Sequence, residues 1–148
     1  MRRLLIASCV LGFFGCTRTT PPHVFVPDQY AAGGTSVETI LAAHPLPSGQ
    51  NISALALGRT ESCSYHLIQI RDREQPHVHT VHDLAVTVLQ GTGRLYIRGQ
   101  PREMRSGDVA VVPHATPHYF VNTGADPAAA FVIFAPPYDG KDQVPVEK

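Results

Sequence analysis

His77-Val78-His79-Thr80-Val81-His82-Asp83-Leu84-Ala85-Val86-Thr87-Val88-Leu89-Gln90-Gly91 is the stretch on which this chain turns. Residues two apart on a strand project from the same face, so His77 and His79 can present their rings to one ion from Cα atoms roughly 6 to 7 Å apart. Neutral imidazole is a common ligand for first-row transition metals, which makes the pair a candidate metal-binding element. By itself a His-x-His pair also occurs in polar loops, so its surroundings decide its meaning.

Those surroundings read as β-structure. From Leu84 onward turn signals recur every few residues, at Gly91-Thr92-Gly93, Gly99-Gln100-Pro101, Ser106-Gly107-Asp108, Pro113 to Pro117 and Asn122 to Pro127. Between them lie short runs suited to strands, including Ala85 to Gln90, Arg94 to Arg98, Val109 to Val112, Tyr119 to Val121 and Ala129 to Ala135. Upstream, alternation across Ile52 to Leu57 and Tyr65 to Ile70 predicts two more. Short, evenly spaced strands predict an all-β sandwich or barrel. One short helix is expected after Ser36, a plausible N-cap, because Val37, Ile40 and Leu41 recur at helical spacing until Pro45 and Pro47 stop it.

Five of the eight histidines lie between His77 and His118. The run from His77 to Gly91 resembles the first motif of the cupin superfamily, and Gly107, Pro113, His118 and Asn122 match its second motif, with Ala115 in place of a glycine. The resemblance implies a double-stranded β-barrel of the jelly-roll type, with His77, His79 and His118 as ligands to a divalent transition metal (Fe, Zn, Cu, Ni or Mn). It also places Leu84 where the family carries a glutamate ligand, and Arg71 where the first motif opens with glycine. Leucine has no donor atom. Three readings follow: a three-histidine site, substitution of the glutamate by Asp83 or His82 through a local bulge, or a site that has decayed.

The other polar residues have ordinary readings. His66 alternates with Ile68 and Ile70 and is either a group inside the barrel or a histidine bonded where it sits. His114 is expected to be exposed, Asn122 to bond turn backbone, and Arg71 to Glu74 to form a solvated charged loop. Tyr65, Tyr96 and Tyr119 are candidates for the cavity wall, among which parity does not choose.

At the N-terminus, Arg2 and Arg3 precede an apolar stretch, Leu4 to Phe14, which reads as an export signal over residues 1–15 and is too short to span a bilayer. Phe13-Phe14-Gly15-Cys16 resembles the lipobox of bacterial lipoproteins, implying lipid on Cys16 and anchorage to the cell envelope, at the outer membrane or periplasmic face; the alternative is an ordinary cleaved signal and a secreted chain. Residues 16–35 then read as a flexible tether, 36–135 as the domain, and 136–148 as a loose polar tail. Cys9 leaves with the leader and Cys16 carries lipid, so Cys63 is left without a disulfide partner and reads as a small strand-opening residue.

With 12 basic and 12 acidic residues the chain carries no nucleic-acid footprint. The expected partners are a small-molecule ligand or substrate, a membrane through the lipid anchor, and a second copy in a homodimer. Function divides between a metal-dependent, dioxygenase-like enzyme and a cupin that binds a metal or small ligand without turnover. Fold alone does not choose between them.

Overall fold

The computed structural model describes residues 21–25 and 34–147. In chain order the elements are β1 (His23–Val24), β2 (Thr35–Ser36), α1 (Val37–Ala43), β3 (Ile52–Arg59), β4 (Ser64–Ile70), β5 (His77–His79), β6 (Asp83–Gln90), β7 (Thr92–Ile97), β8 (Gln100–Arg105), β9 (Val109–Val112), β10 (His118–Asn122), β11 (Ala128–Ala135) and β12 (Gln143–Pro145). The larger strands form two five-stranded antiparallel sheets, ordered β12-β5-β10-β7-β8 and β3-β4-β11-β6-β9. Facing one another, they make the double-stranded barrel that the resemblance implies, within the sandwich-or-barrel class that the turn spacing predicts. No described helix is long and apolar enough to cross a membrane.

Strand parity separates two cores. On β4, Ile68 and Ile70 face the barrel interior with Val86 and Val88 of β6, Leu95 of β7, Met104 of β8 and Phe120 of β10. Leu67 points the other way, joining Leu57 and Ala129 under Val37 and Ile40 of α1. Burying those two helix side chains contributes about 2 kcal/mol each. The Ser36 hydroxyl caps α1 by accepting from the Thr39 N–H at 3.2 Å, and Gln69 donates to the His44 carbonyl just past its end at 2.8 Å.

Two expectations about the ends change. Part of the stretch read as tether is packed, because β1 pairs with β2 and Val24 is buried in the cluster beneath α1. The tail read as loose contains β12, whose Gln143, Val144 and Pro145 pair with His79, Val78 and His77. The polar composition of residues 136–148 conceals this strand, since all three of its residues are exposed and its hold comes from hydrogen bonds. The proposed leader and Cys16 lie outside the described residues. Cys63 is half-buried in the turn before β4, where Thr60 and the Tyr65 hydroxyl are its partners.

Motif departures have local consequences. Gly107 has φ +94°, in the left-handed region glycine enters freely, whereas Ala115, which replaces the other glycine of that motif, is held at φ +55°. The Ala115 N–H donates to the His79 carbonyl at 2.6 Å, which fixes this strained turn against β5. The Arg71 guanidinium donates to the carbonyls of Leu46, Pro47 and Gln50, so it fastens a neighbouring loop rather than opening a turn.

Candidate metal centre

β5 and β10 are adjacent and antiparallel, with His77 directly opposite His118. His77 and His79 share the inward face of β5, and all three rings are buried. Their centroids lie 4.4 Å (His77–His118), 5.1 Å (His77–His79) and 5.6 Å (His79–His118) apart. One ligand nitrogen from each falls within 4.8 Å of the other two. The structure thus brings His77, His79 and His118 together, with His118 reaching the group from the hydrogen-bonded neighbour of β5 in the same sheet and not from across the cavity.

Each Nδ1 is already committed. His77 Nδ1–H donates to the Gln75 carbonyl at 2.7 Å, His118 Nδ1–H to the Thr116 carbonyl at 2.8 Å, and His79 Nδ1–H to Asp142 Oδ1 at 3.0 Å. A carbonyl or carboxylate oxygen only accepts, so these bonds place the proton on Nδ1 and leave the lone pair on Nε2. Burial reinforces this. It pushes the His118 pKa down to about 4, with His77 and His79 adding to the effect while the Thr116 carbonyl opposes it. Burial also lowers His79, against the pull of Asp142. Neutral, Nδ1-tethered imidazoles with convergent Nε2 atoms are the donor set a borderline divalent cation takes.

Neither residue considered as a replacement for the glutamate supplies a ligand to this group. Asp83 is exposed at the start of β6, where Oδ1 accepts from the His114 N–H and Nδ1–H, both at 2.8 Å. His114 is exposed, as expected. His82 is almost completely buried, but its Nδ1 bonds Asp142 Oδ2 and its Nε2 meets the Pro137 carbonyl at 3.3 Å. His79, His82 and Asp142 also have donor atoms within 4.8 Å of one another, but hydrogen bonds already join them. Leu84 is buried among Val112, Val132 and Phe134, so the family's acidic position is part of the apolar wall.

A cavity of about 60 Å³ lies between the sheets, lined by Val112 and Val132 of that wall but not by Leu84 itself. Among its lining residues His118 and Glu74 alone carry ionisable side chains. Glu74 was read from sequence as part of a solvated loop. It pairs with Phe120 in both directions, its N–H donating to the Phe120 carbonyl at 2.9 Å and Oε2 accepting from the Phe120 N–H at 2.8 Å. Although the residue is half-exposed as a whole, its carboxyl is turned inward, and burial raises its pKa against the opposing influence of His77 and the Phe120 N–H.

Sequence reasoning also missed Asp142 and Tyr138. The Tyr138 ring stacks on Phe134 at 4.6 Å and sits edge-on to His66, His79 and His82. His66 is bonded where it sits, its Nε2 to Ser64 Oγ at 2.9 Å. Tyr96 and Tyr119 stack on each other at 4.5 Å, Tyr65 stacks on Phe131, and none of the three lines the cavity. Asn122 bonds turn backbone as expected, its amide donating to the carbonyls of Arg71 and Asp126.

The fold and site together define a small double-stranded β-barrel with a three-histidine group able to hold a metal. Residues 65–134 match the family described as Cupin domain. An uncharacterized protein of Aquifex aeolicus is 40% identical over 100 residues, covering 68% of this chain and 82% of that protein. The chain belongs to the cupin superfamily. Among solved structures, it is similar to KdgF from Halomonas sp., at 26% identity and a TM-score of 0.59, over 66% of this chain and 91% of that one. Streptomyces Pac13, described as a nucleoside dehydratase, shares the fold at 18% identity and a TM-score of 0.57, over 68% of this chain and 82% of that one.

Proposed function

We propose that this protein is an exported, lipid-anchored cupin that binds a divalent transition metal on His77, His79 and His118 and uses it to transform a small molecule held in the apolar cavity, in the manner of a dioxygenase. The observation that carries the reading is the convergence of three buried imidazoles, each with Nδ1 tethered, beside an enclosed apolar space.

The residues divide the work. His77, His79 and His118 would hold the cation with positions left for water or substrate, while Val86, Val112 and Val132 exclude bulk solvent. When bound, the metal supplies Lewis acidity toward an oxygen-bearing substrate or activates oxygen. Glu74 is the carboxyl placed to accept or return a proton at the cavity wall. Export and anchorage rest on Arg2, Arg3, the apolar run to Phe14 and the lipobox-like Cys16. Homodimer formation is part of the proposal, supported by exposed Val109 and Val111 on the edge strand β9.

A second reading, capture of a metal or small ligand without turnover, is favoured by Leu84, which removes the acidic ligand from the site. Metal analysis of the purified protein, followed by oxygen consumption with diketones, thiols and phenols, separates the two. Stoichiometric metal with oxygen uptake supports the enzyme, stoichiometric metal without it supports the binding protein, and a metal-free wild type refutes the enzyme and metal capture alike.

A further inference from the structure

Asp142 spends its side chain on histidines. Oδ1 accepts from His79 Nδ1–H at 3.0 Å, while Oδ2 accepts from His82 Nδ1 and, at 3.3 Å, from the N–H groups of Val81 and His82. Its carbonyl accepts from the Thr80 N–H at 3.2 Å. The carboxylate is buried, with both of its oxygens engaged by histidines. By contrast, the three residues of the adjoining β12 are exposed and pair only with the short strand β5. Little apolar burial therefore fastens β12, which is held by its ladder to β5, by the Val146 N–H donating to the Pro76 carbonyl at 3.0 Å, and by the bonds of the preceding Asp142.

We propose that Asp142 is a positioning residue that makes the C-terminal segment part of the metal centre, so that cation binding at His79 and docking of residues 137–146 strengthen each other. The inference rests on the three-histidine reading above and adds a coupling to it. A carboxylate on Nδ1–H raises the basicity of Nε2 and fixes the ring's orientation, and a cation on Nε2 makes Nδ1–H the stronger donor in return. Linkage then requires each event to favour the other by the same factor.

The experiment measures Zn(II) affinity by chelator competition and hydrogen exchange across residues 137–146 in the full chain, with and without Zn(II). Asp142→Ala and Asp142→Asn are expected to weaken Zn(II) binding by about 10- to 100-fold. Zn(II) should slow exchange across 137–146 in wild type but not in His118→Ala, each protein being compared with its own metal-free state. A merely structural Asp142 would not produce that metal-dependent protection. If Asp142→Ala fails to fold, Asp142→Asn keeps the shape and one acceptor oxygen. Equal affinity in wild type and variant, or exchange indifferent to Zn(II), overturns the coupling alone. A wild type that takes up no metal overturns the proposed function as well.

Discussion

His77 and His118 are each held by the main-chain carbonyl two residues before them, whereas His79 is held by a carboxylate 63 residues further along the chain. The first arrangement is local. It forms wherever the strand forms, and it does not depend on the side chain at the accepting residue. The second depends on β12 arriving at the outer edge of β5 and on the identity of one side chain. A single centre thus combines two rings whose orientation is inherited from backbone geometry with a third whose orientation is conferred by tertiary structure.

The most severe way to break the comparison is to remove a ring. His118→Ala is expected to abolish stoichiometric metal, weakening binding by more than the roughly 100-fold reached by losses of outer partners. Metal analysis after gel filtration checks this, and full retention by His118→Ala would show that the locally held ring is not a ligand.

Acid probes the same contrast. The carbonyl on His118 only partly opposes burial, so the folded chain resists protonating it down to about 4 while the unfolded chain protonates near 6.5. The unfolded state therefore binds the extra proton in that window, and stability is complete above about pH 6.5 and lost as the pH falls toward 4. The metal-free protein should lose up to about 3 kcal/mol there, measurable by denaturant titration at several pH values. His118→Phe, which has no group to titrate, should flatten that slope.

The turn that bonds β5 offers a smaller test. Ala115→Gly relieves the left-handed strain at φ +55° while increasing the freedom of the unfolded chain, so a net stabilisation of about 0.5–1 kcal/mol is expected in thermal unfolding. Smallest of all is Gln75→Ala. Because the acceptor for His77 is the Gln75 carbonyl, removing the side chain should change Zn(II) affinity by less than about 2-fold, against about 10- to 100-fold for Asp142→Ala. Similar losses in the two variants would erase the distinction between local and distant support.

That distinction also marks how far the sequence can be read. His77 and His79 share a strand face by parity alone, and the second motif brings His118 to the same centre. The short strands and α1 were legible because their turns, periodicity and Ser36 cap act over a few residues. Asp142 was hidden because neither its spacing from His79 nor the polar tail around it signals a contact. Glu74 was hidden for the opposite reason, since it lies beside Arg71, Asp72 and Arg73 and looks like surface, yet its pairing with Phe120 turns the carboxyl inward. The departures at Leu84 and Ala115 were visible in the sequence, but their consequences needed coordinates, an apolar wall in one case and a strained turn in the other.

Leu84 has an electrostatic consequence as well. Three neutral imidazoles contribute no negative charge, so a dication held by them keeps both of its positive charges beside an almost wholly hydrocarbon surface. Asp142 behind His79 and Glu74 on the cavity wall supply part of the countercharge, and an entering ligand that carries an anionic oxygen would supply what the Leu84 position does not.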